Sequence, residues 1–377
     1  IFLPGGRPLA EGTVLRQPQL AATLEAIAAA GPSVLYAGPI AEEIVAATEA
    51  APLPGALTLE DLAGYRIIER APVCHDFRAA WRICGMGPPS SGATTVGQIM
   101  GLVGGFPPAE TPTERAHLFA EASRLAYADR ARYLGDPAVV SVPVAGLLDP
   151  AYLASRRAMI QRSRAAEGVA TPGRPPGAAQ VPGPDASGSS PGTTHVSVID
   201  GDGLAISLTA SIETAFGSTH MAGGFLLNNQ LTDFSFDPGP AEARAANAPG
   251  PSKRPRSSMA PTIAYRLDAP DRPAILAGSP GGSRIPEYVA SALLAMIDGG
   301  ADAAAAAAAG HVSHRNRAVL VLETGAHLPG LAPSLSALGH EVEEAAMTSG
   351  LGIIAIDPDS TITGGADPRR EGLAAGQ

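Results

Sequence analysis

Cysteine is nearly absent from this chain: Cys74 and Cys84 are the only two in 377 residues. Two are too few to build a disulfide scaffold, and no Cys/His grouping at zinc-ligand spacing accompanies them, so no metal is expected. A disulfide between the two stays open, with two separate thiols the preferred reading. Long apolar runs are also missing. The alanine-rich stretch 301–309 makes a short helix at most, which predicts no membrane span. Positive charge is the minority, 26 Lys and Arg against 36 Asp and Glu, for a net charge of -10. Polyanions are repelled by that balance, which argues against nucleic acid and anionic membrane and points to small molecules or peptides as partners. There is no initiator Met and no signal-peptide pattern at Ile1, so the sequence does not disclose localisation, and residues upstream are expected. What is present is an apolar content of 45%, enough for a large core, in a length that allows two ordinary domains or one large two-layer α/β unit.

Along the chain, Leu20, Leu24 and Ile27 share a helical face within 16–30, and Gly31-Pro32 ends that run. A second helix is expected over 40–47. Thr58 with Asp61, and Thr111-Pro112-Thr113-Glu114, read as helix starts, the latter opening a helix to about Tyr133. From 163 to 192 the composition turns to Pro, Gly, Ser and Ala, which predicts a flexible surface segment dividing the chain nearly in half. Two β-prone runs follow, separated by Asp200-Gly201-Asp202-Gly203, a hairpin signal that makes Thr193 the first residue of a strand. Strands are expected at 224–227, 262–267, 274–277, 319–322 and 352–356, completing a mixed sheet, with helices over 285–297 and the alanine tract. Helices flanking sheets are the natural architecture. No internal repeat is visible.

Chemistry is suggested first by GTTHVSVID, where a hydroxyl residue follows glycine at the junction of segment and strand. The Thr193 hydroxyl can attack the Gly192 carbonyl, and hydrolysis of the resulting ester frees an α-amine beside the same hydroxyl. With a pKa of roughly 7.7–8.0 that amine serves as general base. Alone, Thr-Thr at a strand start is better explained by β-propensity. GSPGGSRI, residues 278–285, joins a strand to a helix, so the amides of Gly281 and Gly282 can converge on an oxyanion; a plain tight turn is at least as good an account. Ser257 and Ser258 in KRPRSSMAPT can bind a carboxylate, against the alternative of an ordinary polar loop. Gln230 and Asp233 in LLNNQLTDF, and Glu213 in SIETAFG, can meet an ammonium, although an Asp after a strand is more often a turn or cap. His195, His311 and His314 are read as structural or surface residues.

TTH, LLNNQ-x-x-DF, KRP-x-SSM-x-PT and GSPGGSRI occur together with FLPGG near the start and DPRREGLAAG at the end. GPPSSGA at 87–93 and EASRLAYADRARYLGDP at 121–137 lie before the segment. In this combination and order the chain resembles the γ-glutamyltranspeptidase family of N-terminal nucleophile hydrolases over nearly its whole length. The resemblance implies a four-layer αββα sandwich. Residues 1–192 would be the C-terminal part of the large-subunit region, and 193–377 the small, catalytic subunit, both from one precursor cut between Gly192 and Thr193.

By the same resemblance Thr193 is the nucleophile, Gly281 and Gly282 are the oxyanion donors, and Ser257 and Ser258 hold the α-carboxylate of a γ-glutamyl group. Glu213, Gln230 and Asp233 receive its α-amino end, with Glu213 standing where many members have Asn. Ser211 takes the place of a family Thr that supports the nucleophile and maturation. The implied donor is glutathione or another γ-glutamyl compound, the acceptor water, an amino acid or a dipeptide, with no cofactor, in the periplasm or outside the cell. An arginine of the family's N-terminal part that pairs with the α-carboxylate is not in this chain. The stretch 238–251 lacks the aromatic residue found in the lid of some members, which predicts a more open pocket. Alternative readings are an acylase of glutaryl or cephalosporin amides, a depolymerase of γ-linked polyglutamate, and an uncleaved, inactive binding or assembly homologue.

Overall fold

The computed structural model describes every residue except 51–52, 179–181, 189–191, 327–328 and 377. The chain divides into two compact units, one of residues 1–69 with 214–229 and the other of 70–213 with 230–377. In the first, helices Pro18–Ala30 and Pro39–Glu49 each open on a proline, which suits the first helical turn because its N–H has no partner there. The third helix starts on the expected box: Thr58 Oγ1 accepts from Asp61 N at 3.1 Å, while Asp61 Oδ2 accepts from Thr58 N at 2.9 Å. Leu24, on the apolar face of the first of these helices, is 57% exposed. The strand expected at 224–227 shortens to Phe225–Leu226, paired with Met221–Ala222.

The second unit is built on a six-stranded sheet. Strands β1 (Val73–Phe77) and β2 (Trp81–Gly85) come from the first half of the chain. The hairpin strands β3 (Thr193–Ile199) and β4 (Ala205–Ser211) follow the 163–192 segment. Then come β5 (Thr262–Arg266), β6 (Ala269–Gly278), β7 (Gly352–Ile356) and β8 (Ile362–Ala366). The sheet order is β1-β2-β5-β6-β7-β8, and every neighbouring pair is antiparallel. The expected mixed sheet is therefore corrected. Leu320–Glu323 leaves it for a separate three-stranded sheet, parallel to Val342–Ala345, because Leu320 and Leu322 bury against Ala116, Ala120 and Leu335.

Helices α1 (Gly92–Val103), α2 (Pro112–Tyr133) and α3 (Ile285–Ile297) form the layer that shares its core with the sheet. Val96, Ile99 and Met100 of α1 meet Leu125 of α2, Val289 of α3, and Ile83, Ile275 and Ile353 of the strands in one buried cluster. Each such side chain contributes about 1.5–3 kcal/mol on leaving water. At the start of α1 a Cβ on Gly92 would stand 2.3 Å from the Met259 carbonyl, so glycine is what lets the helix seat on the 257–260 backbone.

Hairpin β3–β4 forms a two-stranded sheet of its own, with its inner face against β6 and β7. Ser197 Oγ donates to the Gly352 carbonyl at 3.2 Å and Ser207 Oγ to the Ala277 carbonyl at 3.3 Å. His195, on the same face, bonds Thr209 Oγ1 at 2.8 Å and Ser197 Oγ at 3.0 Å, and burial pushes its imidazole down to about 4. It is a structural residue, as read. The outer face carries Val196, Val198, Ile206 and Leu208, each about half exposed. Helix, sheet and sheet thus stack in the order that the four-layer αββα architecture requires.

Two expectations change. Cys74 and Cys84 are directly opposed in the β1–β2 register, their Cα atoms 4.1 Å apart, and form a disulfide rather than two thiols. The residues of 163–192 that are described are tied down despite their composition. Ala165 N donates to the Leu338 carbonyl at 2.7 Å, Gly173 N to Asp129 Oδ1 at 2.8 Å, and Gly183 N to the Arg244 carbonyl at 3.0 Å.

Candidate active site

A cleft of about 430 Å³, open mouth included, lies in the second unit. Thr193, Ser211, Glu213, Gln230 and Asp233 line it on one side of the sequence, and Ser257, Ser258 and Gly282 on the other. Residues scattered over ninety positions in sequence are thus brought to one place. Gly281 is buried immediately behind Gly282.

Thr193 reaches the cleft because β3 begins there, and the register sets it directly opposite Ser211, the last residue of β4. The Thr193 hydroxyl donates to Ser211 Oγ at 3.1 Å, and the Glu213 amide donates to the same oxygen at 2.9 Å. Two donors on one hydroxyl oxygen hold it still, so the nucleophile candidate has a fixed neighbour. Thr193 is 7% exposed. Glu213 is buried with φ at 75°, a left-handed conformation that a glutamate adopts only where its surroundings enforce it.

Gly281 and Gly282 occupy the turn from β6 into α3, with φ of 138° and 59°. A Cβ at Gly281 would lie 2.4 Å from Tyr288 Cε2, so both its backbone and its space require glycine. Neither amide donates a backbone hydrogen bond among the described residues. They precede the N-terminus of a 13-residue helix, where amides and helix dipole together favour negative charge.

Gln230 and Asp233 sit on a single 3-10 turn. Burial, and after it the neighbouring Glu213, lift the Asp233 carboxyl to about 6, while Arg130 and Arg256 pull the other way. A cation in the cleft would relieve that pair of acids.

Sequence reasoning missed the arginines. Arg130, near the end of α2, donates from Nε to Ser91 Oγ at 2.9 Å and from Nη2 to Ser258 Oγ at 2.6 Å. Ser91 Oγ donates in turn to the Ser257 carbonyl at 2.7 Å, which fixes the serine pair against α1 and α2. Arg256 stands at the variable position of KRP-x-SSM and donates to Asp185 Oδ2 and Ser187 Oγ, each at 2.7 Å. Burial alone would raise the Asp185 carboxyl, but Arg256, the Ser187 hydroxyl and Arg130 outweigh it and hold it below its ordinary value. Ser187 and Gly188 also line the cleft, so the segment just before Thr193 is part of its wall. Ser91, Arg130 and Arg256 lie inside the quoted motifs, whereas Asp185, Ser187 and Gly188, in the 163–192 segment, carry no sequence signal.

Among the described residues no cluster of three or more His, Cys, Asp or Glu side chains has metal-binding geometry, and no helix is long and apolar enough to cross a membrane.

The family model described as gamma-glutamyltranspeptidase matches residues 1–377. The glutathione hydrolase proenzyme of Escherichia coli (strain K12) is 37% identical over 387 aligned residues, covering 100% of this chain and 64% of that protein. The acylase ACY 1 proenzyme of Pseudomonas sp. (strain SE83) is 35% identical over 379, covering 99% and 63%. In structure, a cephalosporin acylase from Bacillus halodurans superposes with a TM-score of 0.84 at 28% identity, over 99% of this chain and 65% of that one. The chain therefore spans somewhat under two thirds of the length of these relatives.

Proposed function

This chain belongs to the γ-glutamyltranspeptidase family, and from that premise we propose that it performs γ-glutamyl transfer and hydrolysis through an ester on Thr193, after cutting its own Gly192–Thr193 bond. The observation that carries the reading is the gathering of Thr193, the Gly281-Gly282 turn, a serine pair and an acidic pair around one cleft.

The Thr193 hydroxyl attacks the Gly192 carbonyl, the peptide nitrogen leaves as the Thr193 α-amine, and water releases Gly192 as a carboxylate. In the matured site the α-amine takes the hydroxyl proton as Thr193 Oγ1 attacks the γ-carbonyl of glutathione or a similar donor. The amides of Gly281 and Gly282 stabilise the oxyanion, and the proton passes to the departing amine. Water or an amino-acid or dipeptide amine then takes the acyl group from the ester. Ser257 and Ser258 hold the donor's α-carboxylate, and Glu213, Gln230 and Asp233 its ammonium. The raised carboxyl of Asp233 supports that assignment, since a bound cation would restore its charge.

An acylase acting on glutaryl or cephalosporin amides is the second reading, favoured by the 35% identity to an acylase proenzyme. Retention of Ser257, Ser258, Gln230 and Asp233 supports the α-amino donor over glutaryl, which has no ammonium to bind. In the proposed maturation, residues 1–192 fall in the C-terminal part of the large subunit and 193–377 in the small one, in the periplasm or outside the cell.

The test is to express the full-length gene, resolve it on a denaturing gel, and assay a γ-glutamyl anilide beside a glutaryl anilide. Two bands and faster release from the γ-glutamyl anilide are expected. A single uncut band with no release from either anilide rejects the enzyme reading, and release from glutaryl alone selects the acylase.

A further inference from the structure

The stretch that leads to the scissile bond has little of its own to hold it in place. Residues 182–192 read PGPDASGSSPG, with one alanine the only aliphatic side chain apart from proline. A strand-like segment of that composition has no apolar pattern to fix its register. Its described residues nevertheless have defined partners. Gly183 bridges to Ala245 in parallel, and a Cβ there would stand 2.1 Å from the Ala243 carbonyl oxygen. The Ala186 amide donates to Ser235 Oγ at 2.9 Å.

Between these backbone ties lies an ion pair. Arg256 Nη2 donates to Asp185 Oδ2 and to Ser187 Oγ, 2.7 Å each, and Ser187 Oγ donates to Asp185 Oδ2 at 2.6 Å. The two charged side chains of this closed triangle are 2% and 6% exposed. Arg256 is fixed from its own side as well: its Nη1 donates to the Arg130 carbonyl at 3.3 Å and its amide to Asn247 Oδ1 at 2.8 Å.

As a stabiliser the pair is poor. Two buried charges lose their hydration, which their attraction repays only when the remaining polar atoms are also satisfied. Here Arg256 Nε and Asp185 Oδ1 are buried without a hydrogen-bond partner among the described residues. What such a pair does supply is registry, because apolar side chains pack in several offsets whereas this triangle closes in one. The register it sets is that of the residues leading to the cut. Ser187 and Gly188 line the same cleft as Thr193, so the chain lies along the cleft shortly before the scissile bond and again directly after it.

Resting on the self-cleavage reading of this cleft, we propose that Asp185 and Arg256 are positioning residues for the cut: their ion pair fixes the register of 183–188 along the cleft wall and so presents the Gly192 carbonyl to the Thr193 hydroxyl. Neither group gives or takes a proton in that step.

The test is the rate of self-cleavage of the full-length gene product, followed on denaturing gels, with urea melts in a Thr193→Ala background as the measure of folding. Asp185→Leu combined with Arg256→Met replaces the pair by apolar side chains of similar volume. Its urea midpoint should equal or exceed the parent's while its cut slows by at least about ten-fold. A role in stability alone would move the two readouts together, and this variant separates them. Arg256→Lys keeps a charge for Asp185 but not the fork to Ser187 and the Arg130 carbonyl, so its rate should fall between those of the parent and the double variant. If the double variant does not fold, or melts earlier than the parent, Arg256→Lys and Ser187→Ala decide. Each should slow the cut by about three-fold at an unchanged midpoint. An unchanged rate in both, or a slowing that appears only with a lowered midpoint, overturns the proposal. A parent that cuts, beside a double variant that folds and cuts as fast, rejects this inference alone. A parent that stays uncut rejects the self-cleavage reading and this inference with it.

Discussion

Thr193 and Ser211 stand opposite each other where β3 and β4 pair, hydroxyl to hydroxyl at 3.1 Å. Ser211 Oγ is the only side-chain partner that the Thr193 hydroxyl has among the described residues. Its removal should slow self-cleavage by about ten-fold, the worth of one hydrogen bond of roughly 1.4 kcal/mol. Ser211→Ala should therefore accumulate uncut chain in a gel time course. Ser211→Thr should cut at least as fast as the parent, because it keeps the hydroxyl and adds a methyl that restrains it. Thr193→Ala should not cut at all, and cleavage by that variant would remove the proposed nucleophile.

Asp233 gives the site a pH dependence with a definite sign. Its carboxyl is lifted to about 6, by burial and then by Glu213, so it is charged above that pH and neutral below it. Binding of a donor ammonium needs the charge. The KM for a γ-glutamyl anilide should rise as pH drops from 7 to 5, and Asp233→Asn should flatten that KM profile. A deamino donor should show no such rise in KM, while kcat falls for both donors as the Thr193 amine is protonated. Equal rises in KM for both donors would refute the assignment of Asp233 to the ammonium.

Histidine burial sets the acid stability. Burial pushes His75, His195, His314 and His340 down to about 4, against an ordinary 6.5. The unfolded chain takes up these protons first. The stability they contribute is full above about 6.5 and is lost as pH falls toward 4, at up to about 1.4 kcal/mol per pH unit for each histidine. His75 offers the cleanest check, because neither of its ring nitrogens has a hydrogen-bond partner among the described residues. His75→Phe should be less sensitive to acid than the parent in urea melts at pH 7.5 and 5.5.

Reduction of the Cys74–Cys84 disulfide should destabilise the second unit by about 2.7 kcal/mol, the chain-entropy value for so short a loop. Because β1 and β2 border the sheet that carries β5 and β6, the loss should appear as a lower urea midpoint with the reductant present. A Cys74→Ser, Cys84→Ser variant should show the same lowered midpoint and no response to reductant.

The parts of the fold that local chemistry decides were legible in the sequence. Thr111-Pro112-Thr113-Glu114 announces α2, observed over Pro112–Tyr133, and the apolar run over 285–297 is α3. The Asp-Gly repeat at 200–203 announces the β3–β4 hairpin, with Thr193 as its first residue. What escaped depends on partners distant in sequence. VCHDF and WRICG carry no clean apolar alternation, and they become strands because β5, some 180 positions on, pairs with β2. Gly and Thr give α1 little intrinsic helix preference, yet the core encloses it. In the site, hydroxyl, glycine and acid positions were visible as motifs. Arg130 and Asp185 were not, since an arginine on a helix and an aspartate in a Pro-Gly-rich segment acquire their meaning only when packing brings Ser258 and Arg256 against them.

Strands β2 and β5 pair from Trp81 with Arg266 to Gly85 with Thr262, one strand from each side of position 192. A cut between Gly192 and Thr193 changes no atom of that ladder, but it changes its molecularity. The pairing then joins two polypeptides, and unfolding yields two molecules where there was one. The melting midpoint of the cut protein should move with its concentration, whereas an uncut chain melts at the same point however dilute it is. Refolding of the cut protein would also wait on diffusion, so the precursor is the form in which this sheet can be assembled at any dilution.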